Sequence, residues 1–278
     1  MISGRTRLFG LIGHPVSHSL SPAMHNAALR EVGIDGVYVC LPVPPERLTE
    51  AVRGAHALGF QGLNVTVPHK LNVARLCLRL DHTAELCGAV NTLRRTPEGW
   101  EGFNTDAPAC LALLEASSLR RGARALLLGA GGAAAAGAFA LLSVGAEVVV
   151  AARRLGAAEE LRRRLHRTFP EGLCHVAAWE EVPRLVAESE AVVNATSIGM
   201  NGVGSELSAL PFARGQLAVD FVYGGTEFGR TALRAGAGLV TGEQLLVRQG
   251  ALAFTLFTGK PAPEDLMTSA LRSAASGH

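Results

Sequence analysis

The run LLLGAGGAAAAG (126–137) constrains the fold more than any other stretch, because an apolar strand there turns through glycine straight into an alanine-rich helix. Gly129 makes the tight turn, Gly131 lets backbone approach a pyrophosphate, and the small Ala134 permits close packing of helix on strand. The unpaired N–H groups and positive dipole end of such a helix then face the phosphates. The competing reading is a glycine-rich strand-to-helix turn with no ligand. The next apolar run, AEVVVAA (146–152), is followed by Arg153-Arg154, where an NAD site usually carries an acid for the ribose hydroxyl. Guanidinium forks suit a 2′-phosphate, so these residues favour NADP over NAD. The alternative is that both arginines merely open a surface helix.

Around this turn, continuous apolar segments alternate with helical ones: ARALLLG, AEVVVAA, HVAAW, AVVNAT (191–196) and LAVDFV (217–222). That rhythm predicts a parallel sheet covered on both faces. An N-terminal block has the same alternation, with strands RLFGLIG (7–13), VYVCLPV (37–43) and LNVTV (63–67). Ser21-Pro22 is expected to cap and open a helix reaching Val32. AVNTLRR and WEGFN form a hairpin around Pro97–Gly99, and a helix over Glu243–Thr258, apolar around most of its surface, is expected to be buried. The fold class is α/β, with hinges near Asp106 and Gly242 and no linker between the blocks.

Composition excludes other classes. No apolar run is long enough to cross a bilayer, and a net charge of +2 leaves no footprint for nucleic acid. Five scattered cysteines without CxxC spacing read as reduced thiols of a cytoplasmic protein and not as a metal site.

Three polar clusters fall at strand ends, where an open α/β sheet places ligands: His14 to Pro22, Asn64 to Lys70, and Asn91-Thr92 with Asn104-Thr105-Asp106. Their hydroxyls, amides, amine and carboxylate suit a small polyhydroxylated acid and a proton transfer. Only Lys70 and Lys260 break the chain's use of arginine for positive charge. An amine can exchange a proton with an alkoxide and a guanidinium cannot, which singles out Lys70 against the ordinary fate of a surface lysine. His14, His18 and His69 lack metal-ligand spacing.

At these residues the sequence resembles the shikimate dehydrogenase family. GHPVSHSLSP, NVTVPHK, AVNT, NTD, GAGGA, NATSIGM and LLVRQGALAF occur in family order over nearly the whole chain. The resemblance implies a substrate and catalytic domain made of 1–105 and 242–278, with a Rossmann-type NADP domain, 106–241, inserted between. It implies reversible, NADPH-dependent reduction of 3-dehydroshikimate to shikimate in aromatic amino-acid biosynthesis. The sequence leaves the oligomeric state open, a homodimer being one option. Carried over position by position, Lys70 and Asp106 form the proton-transfer pair. Ser19, Ser21 and Tyr223 take the substrate carboxylate, while Thr66, Asn91, Asp106 and Gln249 hold ring hydroxyls. Gly129, Ala130, Gly131, Gly132, Ala133, Ala152, Arg153, Arg154, Thr196, Ser197, Phe221 and Gly242 line the NADP site. Two departures stand out: Ala152-Arg153-Arg154 replaces the family's common Asn-Arg-Thr, and His82 replaces a common acid, with no role assigned. The rivals are a quinate/shikimate dehydrogenase using NAD and a non-catalytic NADP-binding regulator.

Overall fold

The computed structural model describes residues 2–202 and 206–276, so positions 1, 277 and 278 of the expected substrate domain and 203–205 of the expected NADP domain lie outside the described residues. The chain divides into two compact units, Met1–Thr105 with Leu246–His278, and Asp106–Leu245.

The first unit contains β1 (Arg7–Gly13), α1 (Ser21–Glu31), β2 (Gly36–Pro42), α2 (Leu48–Ala57), β3 (Gly62–Val65), β4 (Arg79–Leu80), α3 (His82–Cys87), β5 (Thr92–Arg95) and β6 (Trp100–Phe103). Its sheet runs β2-β1-β3-β5-β6-β4. The first three strands are parallel, whereas β5 turns back on β3 and pairs with β6 as the expected hairpin, Arg95 opposite Trp100. α2 turns Leu48, Val52 and Ala55 onto the sheet, and this helical spacing packs them with Ile12, Leu63 and Leu93 in one core.

The second unit contains α4 (Asp106–Glu115), β7 (Arg124–Leu128), α5 (Gly132–Ser143), β8 (Glu147–Ala151), α6 (Leu155–Thr168), β9 (Cys174–Ala177), α7 (Val182–Ala187), β10 (Ala191–Asn194), β11 (Leu217–Asp220), α8 (Glu227–Arg234) and β12 (Gly238–Val240). All six strands are parallel, in the order β12-β11-β10-β7-β8-β9. Counted from β7, this is the doubly wound arrangement whose switch point lies between β7 and β10. Leu126, Leu127 and Leu128 are fully buried, as an apolar strand with both faces covered must be. On α6, Ala158, Leu161 and Leu165 turn inward, while Arg162 and Arg163 pair with Glu159 and Glu160 on the outer face. These arginines therefore belong to a solvated helix surface.

α9 (Gly242–Thr258) and α10 (Glu264–Ser276) close the chain. Two expectations need correction. Ser21 does not cap α1: it is the first helical residue, and its own N–H is received by Ser19 Oγ at 3.2 Å. The hydroxyl two residues earlier takes that orphan donor, and the N-cap position itself falls on Leu20, which has no side-chain acceptor. Nor is α9 buried all round. Leu245, Phe254 and Phe257 are covered, but Leu252 remains 37% exposed, because only one side of the helix faces packed structure.

Candidate active site and nucleotide turn

In the first unit, strand register gathers the three polar clusters, as far as Thr105, at one sheet edge. Ile12 lies beside Val65, Asn64 beside Thr92, and Thr92 beside Phe103, so the segments flanking these residues share that edge. Backbone bonds stitch them: His14 N–H to Val67 O at 2.9 Å, Thr66 N–H to Ile12 O at 2.9 Å, Val65 N–H to Asn91 O at 2.7 Å, and Val90 N–H to Lys70 O at 2.8 Å. Gly13 is required for this approach, since a Cβ there would stand 2.3 Å from Thr66 Cγ2. Lys70, Ser19 and Thr66 are half-buried. His69 is an internal staple, its Nε2 lying 2.7 Å from Val43 O.

Asn91 is the centre of a buried amide–hydroxyl network. Its Oδ1 accepts Thr105 N–H at 2.8 Å and the Thr92 hydroxyl at 3.0 Å. A backbone N–H cannot reverse its polarity, so this bond dictates which way the amide points. Nδ2 is then left to donate to Thr105 Oγ1 at 2.9 Å and Gln249 Oε1 at 3.3 Å. Gln249 Nε2 in turn donates to Leu246 O at 2.9 Å. From Thr92 the network continues to Asn64 Nδ2 at 3.2 Å, whose Oδ1 accepts the Tyr38 hydroxyl at 2.8 Å. Tyr38 also interacts with Ser21, and Cys40 with Ser19, which ties the serine pair to the same network. Burial pushes both the Tyr38 phenol and the Cys40 thiol up from their ordinary values. His25 stacks on Tyr38 with ring centroids 4.3 Å apart, and burial lowers it to about 3, so the ring is neutral. The structure thus joins Ser21, Asn91 and Gln249 through Tyr38, Asn64, Thr92 and Thr105, which sequence reasoning did not assign, and Ser19 is tied in by accepting the Ser21 N–H. Asp106, 7% exposed, opens α4 directly after the clamped Thr105.

In the second unit, Gly129 sits at φ +108°, and a Cβ there would meet Ala195 O at 3.0 Å. Nothing lies within 4 Å of the Cβ position of Gly131, which leaves the turn open to a ligand. α5 begins at Gly132 with no side chain capping its first N–H groups, while Ala134 is fully buried against the sheet. Ala130 and Ala133 are half-buried on the same turn, and Ala152 is buried after β8. Arg153 and Arg154 are exposed, and their side chains make no ion pair or hydrogen bond among the described residues. Open backbone, uncapped donors and two unengaged guanidiniums fit a phosphorylated dinucleotide.

Two further turns flank β7 on its other side. After β10, Asn194 Oδ1 accepts Thr196 N–H at 3.2 Å and its hydroxyl at 2.7 Å, and Thr196 Oγ1 accepts Ile198 N–H at 3.1 Å. After β11, Asp220 Oδ1 accepts Asn194 Nδ2 at 2.9 Å and Val222 N–H at 3.0 Å, and Oδ2 accepts the Thr226 hydroxyl in a short bond. Burial raises Asp220 to about 6, its three donors working against the shift and the charge of Glu243 adding to it. Ser197 is exposed, and Phe221 and Tyr223 are half-buried on these turns. A Cβ on Gly242 would stand 2.4 Å from Val222 O, so α9 starts hard against the second turn. The signal for Asn64, Asn194 and Asp220 was present in the sequence, as a lone polar residue inside an otherwise apolar strand.

Fold and sites define an α/β protein with a mixed-sheet unit rich in buried polar side chains and a Rossmann-type dinucleotide-binding unit. Comparison with known proteins agrees and is more specific. The shikimate dehydrogenase substrate binding domain matches residues 11–93, and the shikimate 5'-dehydrogenase C-terminal domain matches 242–272. A shikimate dehydrogenase (NADP(+)) of Anaeromyxobacter dehalogenans is 58% identical over 273 residues, 98% of each chain. The solved shikimate 5-dehydrogenase of Thermus thermophilus in complex with NADP(H) and shikimate is 36% identical, with a TM-score of 0.82 over 97% of this chain and all of that one. Quinate dehydrogenase of Corynebacterium glutamicum in complex with NAD is 28% identical, with a TM-score of 0.85 over 96% of this chain and 99% of that one. The chain belongs to the shikimate dehydrogenase family.

Proposed function

We propose that this chain catalyses the reversible reduction of 3-dehydroshikimate to shikimate with NADPH. The observation that carries this reading is its 58% identity, over 98% of both chains, to a protein named as an NADP-dependent shikimate dehydrogenase. When bound, NADPH supplies the hydride that adds to the substrate carbonyl carbon. Lys70 donates the proton to the carbonyl oxygen, and takes it back from the hydroxyl in the oxidative direction. Asp106 orients the Lys70 ammonium and a neighbouring ring hydroxyl. Ser19 and Ser21, with Tyr223, hold the carboxylate. Thr66, Asn91 and Gln249 hold ring hydroxyls, and a hydroxyl reaches Asn91 by replacing Gln249 Oε1 on its 3.3 Å bond. Gly129–Ala133, Ala152, Thr196, Ser197, Phe221 and Gly242 line the cofactor, and Arg153 and Arg154 bind its 2′-phosphate.

Among the described residues no helix is long and apolar enough to cross a membrane, and a cytoplasmic location is part of the same proposal. Measuring turnover with NADP and NAD on shikimate and quinate tests the reading, with the NADP–shikimate pair expected to dominate. Dominance of NAD with quinate would overturn it. Tight NADP binding without turnover on either acid would instead favour the non-catalytic regulator. Lys70→Ala should lower turnover by roughly two to four orders of magnitude, and near-normal rates in both Lys70→Ala and Asp106→Asn would remove the proton-transfer assignment.

A further inference from the structure

Strand order assigns the two halves of a dinucleotide to different turns. The glycine turn follows β7, and Arg153-Arg154 follow β8 on one side of it. A cofactor with its pyrophosphate over the glycine turn and its phosphorylated adenosine towards those arginines sends its other half across β10 and β11. Neighbouring strands lie roughly 5 Å apart, so that half meets the turns that begin at Asn194 and Asp220. These residues stand opposite each other in register, and both are buried.

The carboxylate at 220 has an unusual setting. Its three donors are an amide, a backbone N–H and a hydroxyl, all neutral. Among the described residues the charge that acts on it is that of Glu243 on α9, of the same sign. On α8, Glu227 pairs with Arg230 and Arg234. Burying an uncompensated charge costs stability, so simple packing gives no reason to keep one. The polarity of the donors supplies a reason. Thr226 Oγ1 already accepts Gly229 N–H as the cap of α8, so its single O–H must find an acceptor elsewhere. An amide at 220 could satisfy Asn194 and Val222 but would present N–H to Thr226. A protonated acid would set an O–H among the same donors. The ionised carboxylate accepts from all three with no hydrogen of its own to place among them, and protonation leaves Oδ2 a weaker acceptor for Thr226. Through them it pins Val222 to Thr226 directly, and through Asn194 the Thr196 turn, whose Ala195 O abuts Gly129.

We propose that Asp220 is a positioning residue for the nicotinamide half of the cofactor, its ionised carboxylate holding the Thr196–Gly199 and Val222–Thr226 turns in the arrangement that receives that half. This rests on the NADP-dependent reading above. It follows that affinity for nicotinamide-bearing cofactors falls as pH drops through about 6, where Asp220 takes up its proton, while a ligand confined to the adenosine half is indifferent to that event.

The test measures binding, with no turnover required, of NADPH, NADH and adenosine 2′,5′-bisphosphate to the full chain. NADH lacks the 2′-phosphate, which titrates in the same range, and therefore isolates the pH effect. Asp220→Asn should weaken NADPH about tenfold, the scale of one lost charge-assisted hydrogen bond, and leave the bisphosphate within about twofold. Wild-type NADH affinity should fall below about pH 6, and the Asn variant's pH profile should be flat. Thr226→Val should reproduce the NADPH loss and Thr226→Ser should restore binding, which keeps the idea testable if Asp220→Asn folds poorly. Unchanged NADPH binding in Asp220→Asn and Thr226→Val overturns the proposal. So does equal weakening of both ligands, or a flat wild-type NADH profile. A wild-type chain that binds neither NADPH nor the bisphosphate refutes the cofactor reading itself, and with it the proposal.

Discussion

Asp220→Asn should change the pH dependence of folding in the cofactor-free protein. Asp220 is 3% exposed and titrates at about 6, against an ordinary 3.8. Below about pH 4 the side chain is protonated in both the folded and unfolded chain, and its contribution is fully present. As pH rises to about 6 the unfolded chain releases the proton first, so folding loses stability across that window and the loss is complete above it. At about 1.4 kcal/mol per tenfold change in proton affinity, the gap amounts to roughly 3 kcal/mol. Asparagine carries no such slope, but it leaves the Thr226 hydroxyl without its acceptor, at a cost of about 1–2 kcal/mol. The variant should therefore be the less stable protein near pH 4 and the more stable one near pH 8, with the curves crossing in between. Urea unfolding read from Trp179 fluorescence, in a Trp100→Phe background, reports on the second unit, because Trp179 packs against its core. Two parallel curves would sink the argument, since they would mean that the buried carboxylate titrates as it does in the unfolded chain.

Other perturbations address separate parts of the site. Gly242→Ala brings a methyl to within 2.4 Å of Val222 O; as backbone must move, the KM for NADPH should rise at least tenfold, which initial-rate kinetics will detect. Replacing both Arg153 and Arg154 with Ala should reduce the preference for NADP over NAD by roughly ten- to a hundredfold, the range for charge-assisted contacts to phosphate; unchanged selectivity would return the pair to a surface-helix role. Asn91→Ala strands the Thr105 N–H and the Thr92 hydroxyl, so it should cost about 2–5 kcal/mol in urea unfolding as well as raising the KM for shikimate.

The glycine turn, the buried leucines of β7 and the amphipathic α6 were legible because each depends on neighbours within a few residues. A strand-to-helix turn needs glycine at Gly129 whatever packs around it, and the 3.6-residue period of Ala158, Leu161 and Leu165 declares its inner face locally. The motif order likewise carried the family and the candidate residues Lys70, Asp106 and Asn91. The rest depends on partners far apart in the chain. Asn91 is oriented by Thr105, 14 residues on, and reaches Gln249, 158 residues on. Asp220 gathers Asn194 from 26 residues before it, and nothing local to LAVDFV says what its carboxylate will meet. The start of α1 shows the same limit at short range, since the hydroxyl expected to cap it became its first helical residue and the N-cap fell on Leu20. Period and turn chemistry are local properties and can be read along a chain, whereas the pairing of buried donors with acceptors, and the proton affinity that follows from it, exists only once strand order has brought distant residues to one edge.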